Sequence, residues 1–236
     1  MKHNTAARPH SHLGTTAVVL VMALTLGTVA AMAADIITPE EISATQVREA
    51  LGPLTHVIAA PAGMKGIGDG QLAWVMGDPE SWTSSSIDAL LTWVSRGNVC
   101  WFDVRLSQAL GIASSDGAAM DTAIVAEGAE DHALTAGVRS IVAPDAFAYM
   151  RQLPTGARPV MVACNSPERA VMAVWEVGNG LVIFRPPAKY EVVKWPLIGK
   201  RGWIEPHLGD GARLLHNLEL FTLEKLDKAV AVPPAE

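Results

Sequence analysis

Two cysteines, Cys100 and Cys164, are the side chains in this sequence best suited to nucleophilic chemistry. Cys100 stands in "GNVCWFDVRLSQALG" (97–111), which reads as a short buried strand, a sharp turn and a helix. Several α/β enzyme families place a cysteine nucleophile on such a strand–turn–helix. A reactive thiol needs a base beside it and an electropositive setting. Val99 and Trp101 crowd Cys100 on both sides, and neither requirement is met in the adjacent sequence. The expectation is therefore an inert core cysteine. Cys164 also closes an apolar run, "PVMVAC". A bridge between the two needs Cα atoms within about 7 Å, so a disulfide and two free thiols both remain open.

Polar groups nearby could instead bind a ligand. Asp103 and Arg105 lie where a parallel α/β sheet collects its site, at the carboxyl ends of strands. The bland alternative is a local ion pair or helix cap. The "GMKGIGDG" loop (63–70) follows a strand but matches neither phosphate-binding fingerprint, and it reads as a flexible connection. After the N-terminal segment the histidines are His56, His132, His207 and His216, none at metal-ligand spacing, so neither a metal nor a cofactor is expected. His132 is assigned to a turn and His216 to a helix surface. The most unusual segment is 185–206. It carries Arg185, Lys189, Lys194, Lys200 and Arg201 against Glu191 and Glu205, with Tyr190, Trp195 and Trp203 among them. Long loops of this kind are often functional. Aromatic rings beside cations suit a sugar or an acidic partner protein. A loop folded back on tryptophan anchors is the equal alternative.

These groups must be held by regular elements. "TPEEISATQVREALG" (38–52) predicts a helix capped by Thr38 and stopped by Gly52. "LTHVIAA" (54–60), "LAWVMG" (72–77) and "NVCWFDV" (98–104) predict strands. Ile87, Leu90, Leu91 and Val94 predict a helix ending at Gly97. "DTAIVAE" and "RSIVAP" predict minor strands around "DHALTAGV" (131–138). "ARPVMVACNS" and "RAVMAVWEVGNGLVIFRPP" predict successive strands, the last two joined by a Gly178-Asn179-Gly180 hairpin. An amphipathic helix follows over 210–226. The expected fold class is α/β: a mixed, mostly parallel sheet with helices on both faces, a flavodoxin-like three-layer sandwich with a late β-hairpin.

The chain has 236 residues, half of them hydrophobic and 18% charged, which suits one globular α/β domain and excludes a disordered chain. The N-terminus differs. Basic "MKHNTAARPHSHLG" precedes an uncharged apolar run that ends at Ala31-Met32-Ala33, the form of a secretory signal peptide. An uncleaved anchor over residues 15–34 is the alternative. The expectation is 1–33 as signal or anchor, 34–53 as an N-terminal helix, 54–226 as the α/β domain and 227–236 as a tail, in a periplasmic or secreted protein. Of 18 basic and 24 acidic residues, cleavage removes only Lys2 and Arg8, leaving a formal net charge of −8. That excess of acid excludes a general nucleic-acid binder, which needs a basic footprint. Contact with a membrane is expected only through an uncleaved N-terminus.

"HALTAGV", "RPVMVACNSPERAVMAVWEVGNGLVIFRP" and "DGARLLHNLELF" resemble the class I glutamine amidotransferase-like superfamily, in its non-amidotransferase branch that includes trehalose-utilisation-like proteins. The matching positions are His132, Thr135, Gly137, Gly178, Gly180, Asp210, Asn217 and Phe221, with Ala133 where proline is usual. The resemblance spans about residues 54–223, and its motifs are turns and packing positions, which specify fold better than activity. It implies that true amidotransferases would carry a Gly-x-Cys-x-Gly elbow and a His-x-Glu pair. Here Cys100 lacks the glycines, Asp103 stands nearest the turn, and only a reversed "EPH" (205–207) occurs. The resulting expectation is an exported, non-catalytic domain that binds a small molecule or a partner protein through Asp103, Arg105, His132, Trp195, Lys200, Trp203 and His207. The alternative is a carbohydrate-directed hydrolase or isomerase with Asp103, Arg105, His132, Glu205 and His207 lining one cleft.

Overall fold

The computed structural model describes residues 35–38, 57–59, 72–75, 79–115, 121–187, 189 and 202–230, all within one compact unit, Ala34–Glu236. Eleven strands form one sheet: β1 (Asp35–Thr38), β2 (Val57–Ala59), β3 (Leu72–Val75), β4 (Val99–Asp103), β5 (Ser114–Ser115), β6 (Thr122–Val125), β7 (Ser140–Val142), β8 (Tyr149–Met150), β9 (Arg158–Ala163), β10 (Ser166–Val177) and β11 (Gly180–Arg185). Among the described residues two α-helices accompany them, α1 (Ser84–Ser95) and α2 (Gly211–Val230). The protein is an α/β fold with a mixed and curled sheet.

The strand order is β2-β1-β3-β4-β11-β10-β9-β6-β7. The first five are mutually parallel, and every later neighbour pairs antiparallel. The expected mostly parallel sheet is thus parallel over one half only. The reason is loop length. Ala163 pairs with Ser166 and Val177 with Gly180, so two-residue turns join β9 to β10 and β10 to β11. Such turns force antiparallel pairing, because a parallel return needs a long crossover.

Of the parallel strands, β3, β4 and β11 are buried on both faces, as their apolar runs require. Alternation along β4 sends Cys100 and Phe102 into the cluster with Leu90, Trp93 and Val94 of α1. Trp101 points the other way, where its indole N–H donates to Thr222 Oγ1 of α2 at 3.1 Å. Thr83 caps α1 by accepting from Ser86 N at 3.2 Å. Gly97, at φ 104°, releases the chain from the helix. Buried Asn98 then donates to Trp93 O at 2.7 Å, satisfying a carbonyl at the helix end.

Three strands lay outside the sequence reading. Strand β1 ends at Thr38, the residue expected to cap a helix, and pairs with both β2 and β3. The rest of that helix segment lies outside the described residues. Strands β5 and β8 are two residues each, too short for any periodicity to show. Among the described residues no helix is long and apolar enough to cross a membrane. Residues 15–34 lie outside them.

Candidate functional site

Strands β4 and β11 end side by side, with Arg185 in register with Asp103. Asp103 closes β4 and caps the following 3-10 helix (Val104–Leu110) by accepting from Arg105 N at 2.9 Å. The Arg105 guanidinium returns to the same carboxylate, with Nε 3.0 Å from Oδ1 and Nη2 on Oδ2. The two residues that sequence places at the sheet edge are therefore joined to each other as cap and ion pair. Their geometry is that of the bland alternative.

Arg185, which the sequence offers only as one cation of the 185–206 segment, stands at this edge. It is 1% exposed, and its guanidinium carbon lies 5.3 Å from the Trp74 ring and 4.5 Å from the Trp101 ring. Its Nη1 donates to Pro186 O at 2.9 Å. A cation held by two indoles and a carbonyl is stabilised where no water reaches it. The register Trp74–Trp101 and Trp101–Ile183 puts all three side chains on one face. Each ring belongs to a different strand from the arginine, so spacing along the chain gives no hint of the contact.

Cys100 is the second residue of β4, wholly buried in the α1-side cluster, and burial pushes its thiol far above the ordinary value. Cys164 is exposed just past β9, and both thiols are free.

His132 caps its own 3-10 turn (Ala133–Thr135), its Nδ1 accepting from Leu134 N at 3.2 Å. Its ring packs on Phe221 of α2 with centroids 5.1 Å apart. The turn is bolted to that helix. Asn217 Nδ2 donates to Leu134 O at 3.1 Å and Ala136 O at 2.9 Å, and Arg213 Nη1 donates to Gly137 O at 3.1 Å. Asp210 accepts from Arg139 N at 2.8 Å and Ser140 N at 3.3 Å. These positions hold a turn onto a helix.

Burial lowers the pKa of His132 below its ordinary value, and the charges of Arg158 and Lys225 lower it further. The folded state thus prefers the neutral ring, and the unfolded chain binds the extra proton. Stability from this residue is complete above the unfolded value near 6.5 and is lost as pH falls below it toward the folded value. We expect His132→Asn, which keeps an acceptor for the cap, to flatten that part of the stability–pH curve. Urea midpoints from pH 7 to 5 test this, and an unchanged slope would refute the assignment.

Trp195 and Lys200 lie outside the described residues. Trp203 is half-buried, and its indole N–H is buried without a partner. Ile204 N donates to Pro187 O at 2.8 Å and Glu205 N to Val142 O at 3.4 Å, so 203–205 is laid against neighbouring chain as a folded-back segment. Buried Glu205 takes Lys189 Nζ on Oε2 at 2.8 Å, while its Oε1 is buried without a partner. His207 is exposed in the following turn.

Two surface grooves stand out. One, of about 340 Å³, lies between Ile87 and Leu91 of α1, Leu110–Ile112, Leu153–Pro154 and Trp175. The other, of about 200 Å³, lies by the β10–β11 turn and Lys225. Of the sequence-predicted site residues that are described, Asp103, Arg105, His132, Trp203 and His207, none lines either groove. Among the described residues no three histidine, cysteine or acidic side chains cluster as metal ligands would.

No protein-family profile and no curated protein matches the chain. Among solved structures it is similar to the exo-beta-1,4-mannosidase Op5Man5 from Opitutaceae bacterium strain TAV5, at 13% identity and a TM-score of 0.38. That alignment covers 92% of this chain and 39% of the mannosidase chain, and a likeness this slight carries no argument about fold or activity.

Proposed function

We propose that this chain is an exported, non-catalytic domain of the glutamine amidotransferase-like kind, which binds a small molecule or a partner protein. The fold it would adopt is the flavodoxin-like sandwich. Packing of Cys100 and Phe102 against α1, with Trp101 turned to α2, supports that architecture. The observation that carries the functional reading is the place of Cys100. It is wholly buried as the second residue of β4, three residues short of the turn where an elbow would lift a nucleophile. At the turn stands Asp103, already engaged by Arg105. A thiolate there would have neither base nor access. Export rests on the N-terminal sequence alone.

Thiol labelling tests the reading. In full-length protein with Cys164→Ala, we expect Cys100 to resist a water-soluble disulfide reagent until urea unfolds the chain. Stoichiometric labelling of the native protein within minutes, with an apparent pKa below that of a free thiol, would make Cys100 a nucleophile and end the proposal.

A further inference from the structure

Strand β10 runs antiparallel to β11, so its first residues lie at the same sheet edge as Asp103 and Arg185. Its pairing with β9 shifts register between Ser166 and Ala170, so Pro167–Arg169 form an irregular bulge. Bulges of this kind re-aim side chains and gather near functional sites. Here the bulge sends Arg169 over the ring of Tyr149, with the guanidinium carbon 4.9 Å from its centroid. Arg151 approaches the same ring at 5.9 Å and its Nη2 donates to Tyr149 Oη at 3.4 Å.

Met150 pairs with Ala170, and one residue onward that antiparallel register sets Arg151 across from Arg169. Like charges facing each other across two strands destabilise a sheet. Tyr149 is only 2% exposed, so the two cations converge on a fixed, buried platform. Among the described residues, the carboxylate drawn to them is that of Glu168, 3.4 Å from Arg169 Nε, with a side chain 69% exposed. A wet contact of that kind offsets little charge. The whole chain carries a net charge of −6, so two arginines facing one another on one ring run against its general balance.

We propose that Arg151 and Arg169, gathered on the Tyr149 ring, form a site for a small oxyanion, the phosphate or carboxylate group of a small-molecule ligand. Paired guanidinium forks present parallel N–H donors to two oxygens, which a lone lysine cannot do. The anion would sit between the cations and remove their repulsion. This inference rests on the ligand-binding reading and names the chemistry of one ligand group.

The test uses the full chain, inorganic phosphate and acetate as probes, and two readouts. Wild-type protein should show saturable shifts of the Tyr149 and arginine side-chain NMR signals and a Tm that rises with anion concentration, as linkage requires. Arg151→Gln plus Arg169→Gln should weaken binding at least tenfold and remove the rise in Tm, with no loss of Tm in anion-free buffer. Arg151→Lys plus Arg169→Lys should fall between. Phosphate binding more tightly than acetate assigns the phosphate source, and the reverse assigns the carboxylate. No saturable shift with either anion, or equal binding by the glutamine variant, would overturn the site. Native labelling of Cys100 would instead overturn the reading beneath it, so the two failures are distinguishable.

Discussion

Gly180→Ala should cost about 3 kcal/mol, a large fraction of the stability of a typical domain. A Cβ at this position would fall inside the contact radii of Val94 O and Asn98 O, both backbone atoms that cannot rotate away. Gly180 sits in the first pair of the β10–β11 hairpin, opposite Val177, and the next residue donates Leu181 N to Asn98 O at 3.0 Å. Asn179 N donates to Ser95 O at 2.9 Å. The hairpin is thus pressed onto the carboxyl end of α1, and the missing side chain makes the approach possible. Gly156→Ala is the control, since its own φ is +86° but a Cβ there meets nothing within 4 Å. It should show only the milder cost of a left-handed alanine, about 1 kcal/mol. Urea midpoints at constant slope would decide. Gly180 itself has no positive φ, so a loss no larger than that of the control would mean that the backbone gives way and the close approach costs little.

Arg185→Ala should lose about 3 kcal/mol, the scale of a large-to-small change at a packed site. The variant empties the space over the Trp74 and Trp101 rings and abandons the bond to Pro186 O. Arg185→Met keeps the stem volume and should recover at least half of the loss, because a buried cation contributes less than its contacts suggest once its desolvation is counted. A near-neutral alanine variant would show that the indoles close over the gap. Near-ultraviolet circular dichroism would report the tryptophans directly, with the alanine variant losing signal and the methionine variant keeping most of it.

The elements were legible where one local rule decided them. Four apolar residues at helical spacing and a glycine stop marked α1, and an unbroken apolar run marked β4. Glycine, asparagine and glycine between two apolar runs marked the hairpin. What sequence could not show was the pairing. The parallel fraction of the sheet depends on which strands neighbour β10, and strand β1 was hidden in a segment whose capping residues suggested a helix. The site suffered for the same reason. Asp103 and Arg105 stood out by spacing, and that same spacing let them satisfy each other. Arg185, by contrast, meets rings from β3 and β4, and Arg151 is set across from Arg169 only by the single pair Met150–Ala170. Cross-strand partners are set by topology, which no window along the chain contains.

The strand order has a consequence for synthesis. Strand β4 is flanked by β3 on one side and by β11 on the other, and β11 lies about eighty residues later in the chain. Until the ribosome has released Gly180–Arg185, the edge of β4 has no partner, and its backbone groups lie beside "VCWF" with nothing to cover them. An open apolar edge recruits other strands. Chains interrupted between β4 and β11 should therefore be the sticky species, dependent on a holding chaperone, and the arrival of the hairpin would be the event that makes the nascent chain safe.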